Sequence, residues 1–474
     1  MRKRVIFLNI ALIVLVLCWA INSMGESSCR DIPGVLLVKF KSGLLTDHDT
    51  GRSGKLTTGI TSFDLLNTKY NVSDIRKVFP EETTVPPSNS NLMDLSGFYE
   101  IEFPEESNLQ ALISIYSQDP NLEIVETVKM CPVDAVPNDP ETQWHLNNLL
   151  GNDADVDAYE AWDLETGDSS IILAILDTGV GYYCPELSWN IWTNPGEIPD
   201  NGIDDDLNGK VDDYYGWDFV TGGYLCDVAG GEDCSGADNN PSDFDGHGTH
   251  VSGIAAAVTN NNAGVAGLAG GWYPAKKGCK IMALRTGWHA TDGRGYINMD
   301  FAAQAMYYAR IKGAKAINCS FGTSYTSALQ AEVINAINQG IVICKSAGND
   351  NQEVDDYLID NFLEVLGVAA LNRYDQKASF SNFGNEVDIS APGDDIRSVG
   401  GENYGCGIAV YSGTSQAAPM VTGLVGLLRS RVPNLTIAQI TSLIKDNADS
   451  IDYLNPGYEG KLGAGRISLY RSLL

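Results

Sequence analysis

Ile171-Ile172-Leu173-Ala174-Ile175-Leu176-Asp177-Thr178-Gly179 runs six apolar residues into a carboxylate and a turn. Six consecutive apolar positions without alternation suit a strand buried on both faces. Similar short runs recur at 281–284, 316–320, 341–344 and 365–369. Helical patterns separate them at 250–258, 298–312 and 326–339. Strands alternating with helices predict an α/β fold, a parallel sheet covered by helices on both faces. Functional groups in such a fold lie outside the carboxyl ends of the strands. Asp177 ends the first of these strands, and a carboxylate there needs partners to offset its desolvation.

Working outward, the chain has 474 residues, 44% of them hydrophobic. That composition excludes wholesale disorder, and the length allows more than one domain. Lys+Arg 31 against Asp+Glu 61 leaves a net charge of −30. So acidic a surface repels phosphate backbones and argues against nucleic acid as a partner. Fourteen of the acids fall in 197–245, against the single base Lys210. They alternate with Asn and Gly, a pattern that suits a solvated loop or ligation of a hard cation.

At the N-terminus Arg2, Lys3 and Arg4 precede an apolar stretch, 5–21, broken only by Asn9. This reads as a secretory signal over residues 1–25; membrane association is expected only if the signal stays uncleaved. Ten cysteines fit an oxidising compartment. With Cys18 in the leader nine remain, so at least one is unpaired. Cys226 and Cys234 are the expected local pair, and Cys319 and Cys344 are expected as buried free thiols. Residues 26–133 read as a small α+β unit: strand 34–41, helix 62–70, strand 98–103, helix 107–119, strand 122–128. Residues 134–474 hold the strand–helix alternation.

Two further segments carry chemistry. Asp245-Gly246-His247-Gly248-Thr249-His250-Val251-Ser252-Gly253 places His247 between glycines at a helix start. Ser412-Gly413-Thr414-Ser415-Gln416-Ala417-Ala418-Pro419 places Ser415 among small residues, where a helix dipole assists an attacking oxygen. Together with Asp177-Thr178-Gly179, in the order Asp, His, Ser, these segments resemble the subtilisin-like serine proteases, the subtilases.

The resemblance implies a subtilisin-like peptidase over 134–474 acting on polypeptide substrates. It implies Ser415 as nucleophile, His247 as general base and acid, and Asp177 as the group that orients His247. Ser346-Ala347-Gly348-Asn349 resembles the strand end that supplies the oxyanion donor, which makes Asn349 the donor here. Ser320, Phe321 and Gly322 match the segment that pairs with substrate backbone. The unit at 26–133 resembles the propeptides of secreted subtilases, which chaperone folding and occupy the cleft as an intramolecular inhibitor until removed. Gln416 departs from the methionine usual after the nucleophile, and Lys345 departs from the small residues usual in its strand.

Calcium is the expected cofactor, in a structural role. Asp204, Asp206, Asn208, the Lys210 carbonyl and Asp212 resemble the first positions of an EF-hand loop. Resemblance to thermitase-type subtilases implies a second site from Asp139, Glu186 and Asn261, completed by carbonyls of Val258, Ala263 and Val265. The expectation is thus a secreted, calcium-stabilised, self-processing serine endopeptidase. Two other readings stay open: a narrow-specificity processing protease or transpeptidase of the same fold, and a non-catalytic calcium-binding surface protein.

Overall fold

The computed structural model describes residues 30–41, 44, 58–79, 94–104, 106–130, 135–150, 153–222, 227–401 and 405–474. The leader and Cys226 lie outside these residues, as do residues 131–134, where the two expected regions meet. The chain divides into two compact units, Met1–Val133 and Asp134–Leu474.

In the first unit β1 (Arg30–Phe40) pairs antiparallel with both β3 (Phe98–Glu102) and β4 (Leu122–Met130), and β2 (Asp74–Lys77) adds to β3. Helices α1 (Thr61–Lys69) and α2 (Leu109–Tyr116) supply Phe63, Leu112 and Tyr116 to a core with Leu36, Val38, Phe40 and Ile101. Strand β2 escapes the sequence pattern because Asp-Ile-Arg-Lys is a polar edge strand with no buried residue.

The second unit is built on a seven-stranded sheet. In chain order its strands are β5 (Ile172–Asp177), β6 (Gly216–Asp218) and β7 (Lys280–Arg285); the hairpin β8 (Gly287–His289) and β9 (Gly295–Ile297) lies outside it; then follow β10 (Ala316–Cys319), β11 (Val342–Ser346), β12 (Val365–Leu371) and β13 (Ile389–Pro392). The order across the sheet is β13-β12-β11-β10-β5-β7-β6, and every pairing is parallel. Leu173 and Ile175 face a layer containing α3 (His247–Ala256) and the 18-residue α7 (Thr414–Arg431). Ala174 and Leu176 face the opposite layer, with α4 (Met299–Ile311) and α5 (Ser327–Asn338), and the short α6 (Tyr357–Asn361) precedes β12. A strand covered on both sides has no polar face, which is why the opening run lacks alternation. Strand order reverses at β5, flanked by β10 and β7, so the crevice for a ligand opens at the carboxyl end of β5, where Asp177 sits.

The expected Cys226–Cys234 pair is corrected. Cys234 is a free thiol, and among the described residues a bridge joins Cys184 to Cys406, 222 residues apart in sequence. Two loops far apart in the chain meet there, and nothing in local spacing signals it. Cys319 and Cys344 are buried free thiols, as expected. No helix among the described residues is long and apolar enough to cross a membrane.

Candidate active site

Asp177 is 1% exposed, and its Oδ1 lies 2.7 Å from His247 Nδ1. The Thr178 backbone N–H donates to the same oxygen at 2.8 Å. His247 opens α3, and Gly248 after it is required by close approach: a Cβ there would lie 2.0 Å from the Gly179 carbonyl oxygen and 2.8 Å from Asp177 Cβ. Asp243, fully buried, locks the loop before His247. It accepts from Thr178 Oγ1, the Gly246 and Thr249 backbone N–H groups and Thr249 Oγ1. His250 is structural: it is buried, its Nε2 is 3.1 Å from the Ile396 carbonyl oxygen, and its ring stacks on Tyr411.

Ser415 stands in the first turn of α7. Its Oγ donates to the Ser320 carbonyl at 3.0 Å, and Ser320 Oγ donates back to the Ser415 carbonyl at 2.9 Å. The nucleophile candidate is thereby tied to the segment Ser320, Phe321, Gly322. These three residues, Asp177, His247 and Ser415 line one cleft of about 330 Å³. Gly295, Tyr296 and Ile297 of β9 form part of the same lining, together with Asp245. Sequence reading missed both; Gly293-Arg294-Gly295 marks a turn, but only the hairpin brings it to the cleft.

Asn349 follows β11. Its Oδ1 accepts from the Thr414 backbone N–H at 2.8 Å and from Thr414 Oγ1 at 3.0 Å. With the carbonyl end so anchored, Nδ2 is left to the side of Gly413 and Ser415, 3.4 Å from where a Gly413 Cβ would stand. Lys345, two residues deeper in the strand direction than Ala347, is 1% exposed and pairs with Asp356 at 3.1 Å. Asp356 also accepts the backbone N–H and hydroxyl of Thr323. The buried lysine therefore joins β11 to the end of the 320–323 segment, and its charge is compensated.

Burial alone lowers the His247 pKa, but the charge and hydrogen bond of Asp177, with Asp245 and Asp243 behind, outweigh it and raise it to about 9. A histidine that serves as general base must be neutral, so in that role activity is expected to fall as pH drops through this pKa. The acid limb of kcat/KM against pH is expected well above the roughly 6.5 of an ordinary histidine. A limb at or below that value would show that the surrounding acids do not set the charge of His247.

Of the residues expected as a thermitase-type calcium set, Asp139, Glu186 and Asn261 lie near one another. Asp139 accepts from the backbone N–H groups of Asn260 and Asn261 at 2.8 and 3.0 Å. Glu186 is 6% exposed and bonds the Asn261 side chain and the Val265 backbone; burial raises its pKa. The Val258 N–H donates to the Glu186 carbonyl, and the Ala263 N–H to Asn261 Oδ1. Glu186 Oε2 is buried with no hydrogen-bond partner.

In the EF-hand-like set the Asn208 backbone N–H donates to both Asp204 Oδ1 and Asp206 Oδ1, at 3.0 and 3.1 Å. Asp204 accepts from the backbone of Asn208 and Gly209, and Asp212 from Asn201 and Gly202. Asn208 donates to Asp213, while the Lys210 ammonium lies over Trp217. Asp206 groups instead with Glu197 and Asp213, and the Lys312 ammonium already pairs with Asp206 there.

The chain belongs to the subtilase family of peptidases (S8), whose profile matches residues 168–465. It is 33% identical over 368 residues to a thermophilic serine proteinase of Bacillus sp. strain AK1, covering 77% of this chain and 76% of that one. It is also 33% identical over 338 residues to thermitase of Thermoactinomyces vulgaris, covering 71% of this chain and 99% of that one. An extracellular protease of Xanthomonas campestris is 29% identical over 401 residues, 77% of this chain and 61% of its own. Among solved structures, a protease of Pseudoalteromonas arctica superposes with a TM-score of 0.53 at 26% identity, covering 71% of this chain and 98% of that one. The protein is a serine protease with a subtilisin-like fold.

Proposed function

We propose that the chain is a secreted serine endopeptidase made as a zymogen, with residues 1–25 as leader and 26–133 as a folding aid and inhibitor of its own cleft. In this reading Ser415 Oγ attacks a peptide carbonyl. His247 Nε2 takes the proton and returns it to the leaving amine, and Asp177 holds the ring and stabilises its charged form. Asn349 Nδ2 and the Ser415 N–H donate to the oxyanion. Substrate backbone pairs as an extended strand with Ser320, Phe321 and Gly322. Ser415 leaves the Ser320 carbonyl by moving to another χ1 well, an ordinary rotamer change.

One observation carries the reading: the 2.7 Å Asp177–His247 pair lines the same cleft as Ser415. Reaction of a fluorophosphonate with the wild type, and none with Ser415→Ala, is the expected test result. No labelling of the processed protein would favour the non-catalytic surface-protein reading.

Calcium in this reading is structural and supplies no chemistry to the reaction. Asp139, Glu186 and Asn261, with carbonyls of Val258, Ala263 and Val265, would hold it. The fit rests on Glu186 Oε2, a buried carboxylate oxygen that lacks a donor; a hard cation relieves that cost. Binding to the folded state alone stabilises by about 2.7 kcal/mol when calcium is near 100 times Kd. Chelation is expected to lower the melting temperature and speed self-cleavage. Glu186→Ala is expected to remove the calcium dependence of melting. Equal melting curves with calcium and with excess chelator would sink the calcium assignment.

A further inference from the structure

One lysine ammonium is buried between the two segments that the proposed reaction uses. Lys345 sits in β11, where its register partner in β10 is Cys319, the residue before Ser320. Its Nζ donates to the Ser346 carbonyl at 2.6 Å and pairs with Asp356 Oδ2 at 3.1 Å. The Ser346 hydroxyl oxygen lies 3.4 Å away as a third partner. An ammonium has three N–H groups, so all three are engaged. Asn349 stands three residues beyond Ser346, and the Gly348 N–H between them donates to the Thr414 hydroxyl at 3.1 Å.

Asp356 carries the contact to the other segment. It accepts the Thr323 backbone N–H through Oδ2 at 2.8 Å and the Thr323 hydroxyl through Oδ1. It also caps α6 by accepting the Leu358 N–H, and its own N–H donates to Asp360. Thr323 directly follows Gly322. The segment 320–322 is therefore held at both ends, at Ser320 by its exchange with Ser415 and at Thr323 by Asp356. Between these anchors Gly322 is exposed, and a Cβ there would meet nothing within 4 Å.

Neither Lys345 nor Asp356 is among the residues that line the cleft. Stability is a weak reason for burying the pair, because apolar residues of similar volume often serve as well or better. What the pair fixes is a distance. The backbone of Ser346 and the backbone of Thr323 are joined through two side chains, so one segment cannot slide past the other without breaking buried charged bonds. We infer that Lys345 is a positioning residue. With Asp356 it sets the register between the 320–322 edge and the strand end bearing Asn349, so that a carbonyl paired on that edge arrives within reach of the Asn349 amide.

The inference rests on the protease reading above, and the test separates the two. Lys345→Met alone leaves a buried charge on Asp356, so the variant measured is the neutral pair Lys345→Met with Asp356→Asn. Asn at 356 keeps an acceptor for Thr323 and for the start of α6. Peptide hydrolysis by the processed product is followed, with active sites counted by fluorophosphonate labelling so that unfolded protein does not enter kcat. The neutral pair is expected to lower kcat about a hundredfold with KM nearly unchanged, the size of effect that a shift of about 1 Å produces. In an Asn349→Ala background the same pair is expected to lower kcat less than about tenfold, because the register then serves no donor. A merely structural role moves melting and the labelled fraction, and gives the same loss in both backgrounds. A kcat within about threefold of wild type, or an equal loss with and without Asn349, overturns the assignment; so does a neutral pair that fails to fold, which would make the bridge a matter of stability. Failure of the wild type to cleave any peptide overturns the protease reading together with it.

Discussion

Ser415→Ala is expected to lose about a millionfold in kcat, leaving only what binding and the oxyanion donors supply. The size follows from how the groups work together. His247 has no proton to move without Ser415, and Asp177 then orients a base with nothing to activate. The mutant should keep its fold, because Ser415 Oγ makes a single hydrogen bond, to the Ser320 carbonyl. It should also accumulate as a form about 100 residues longer than the mature enzyme, the approximate size of the unit ending near Val133. Mass and N-terminal sequence of the secreted product, wild type beside mutant, check both points. Normal maturation of the pure mutant would refute self-processing and leave the nucleophile assignment standing; full activity would refute that too.

Asn349→Ala comes second, with kcat lowered about 10²–10³-fold and KM nearly unchanged. The geometry of Asn349 is the reason for so large an expected effect. Its Oδ1 is fixed by two donors from Thr414, so the amide cannot turn, and Nδ2 is set beside Ser415 before any substrate arrives. A preorganised donor of this kind costs no reorganisation when charge develops, and its bond strengthens only in the transition state. Asn349→Asp tests the same point differently: a carboxylate of similar shape has no N–H to offer. An unchanged kcat in a folded Asn349→Ala protein would remove Asn349 from the oxyanion site. The Thr414 contact predicts some loss of local order as well, so melting should be measured beside kinetics.

Sequence alone determined the layered α/β fold and the three chemical segments. Runs such as 171–176 have no polar face, and only a strand covered on both sides tolerates that. Motif glycines are legible for the same reason: Gly248 stands where a Cβ would meet the Gly179 carbonyl and Asp177. Tertiary structure decided everything that joins distant segments. Lys345 reads as an anomaly in its strand until Asp356 is seen at 3.1 Å. The Cys184–Cys406 bridge and the meeting of the β8–β9 hairpin with the cleft have no spacing rule, because each depends on segments distant in the chain meeting in space. The acidic loop shows the limit most clearly. Alternating oxygens suggest one cation cage at 204–212, but in the fold Asp206 groups with Glu197 and Asp213, and Asp212 accepts from Asn201 and Gly202, eleven and ten residues away. A carboxylate bonds the nearest unsatisfied donor, and only the folded backbone determines which donor that is.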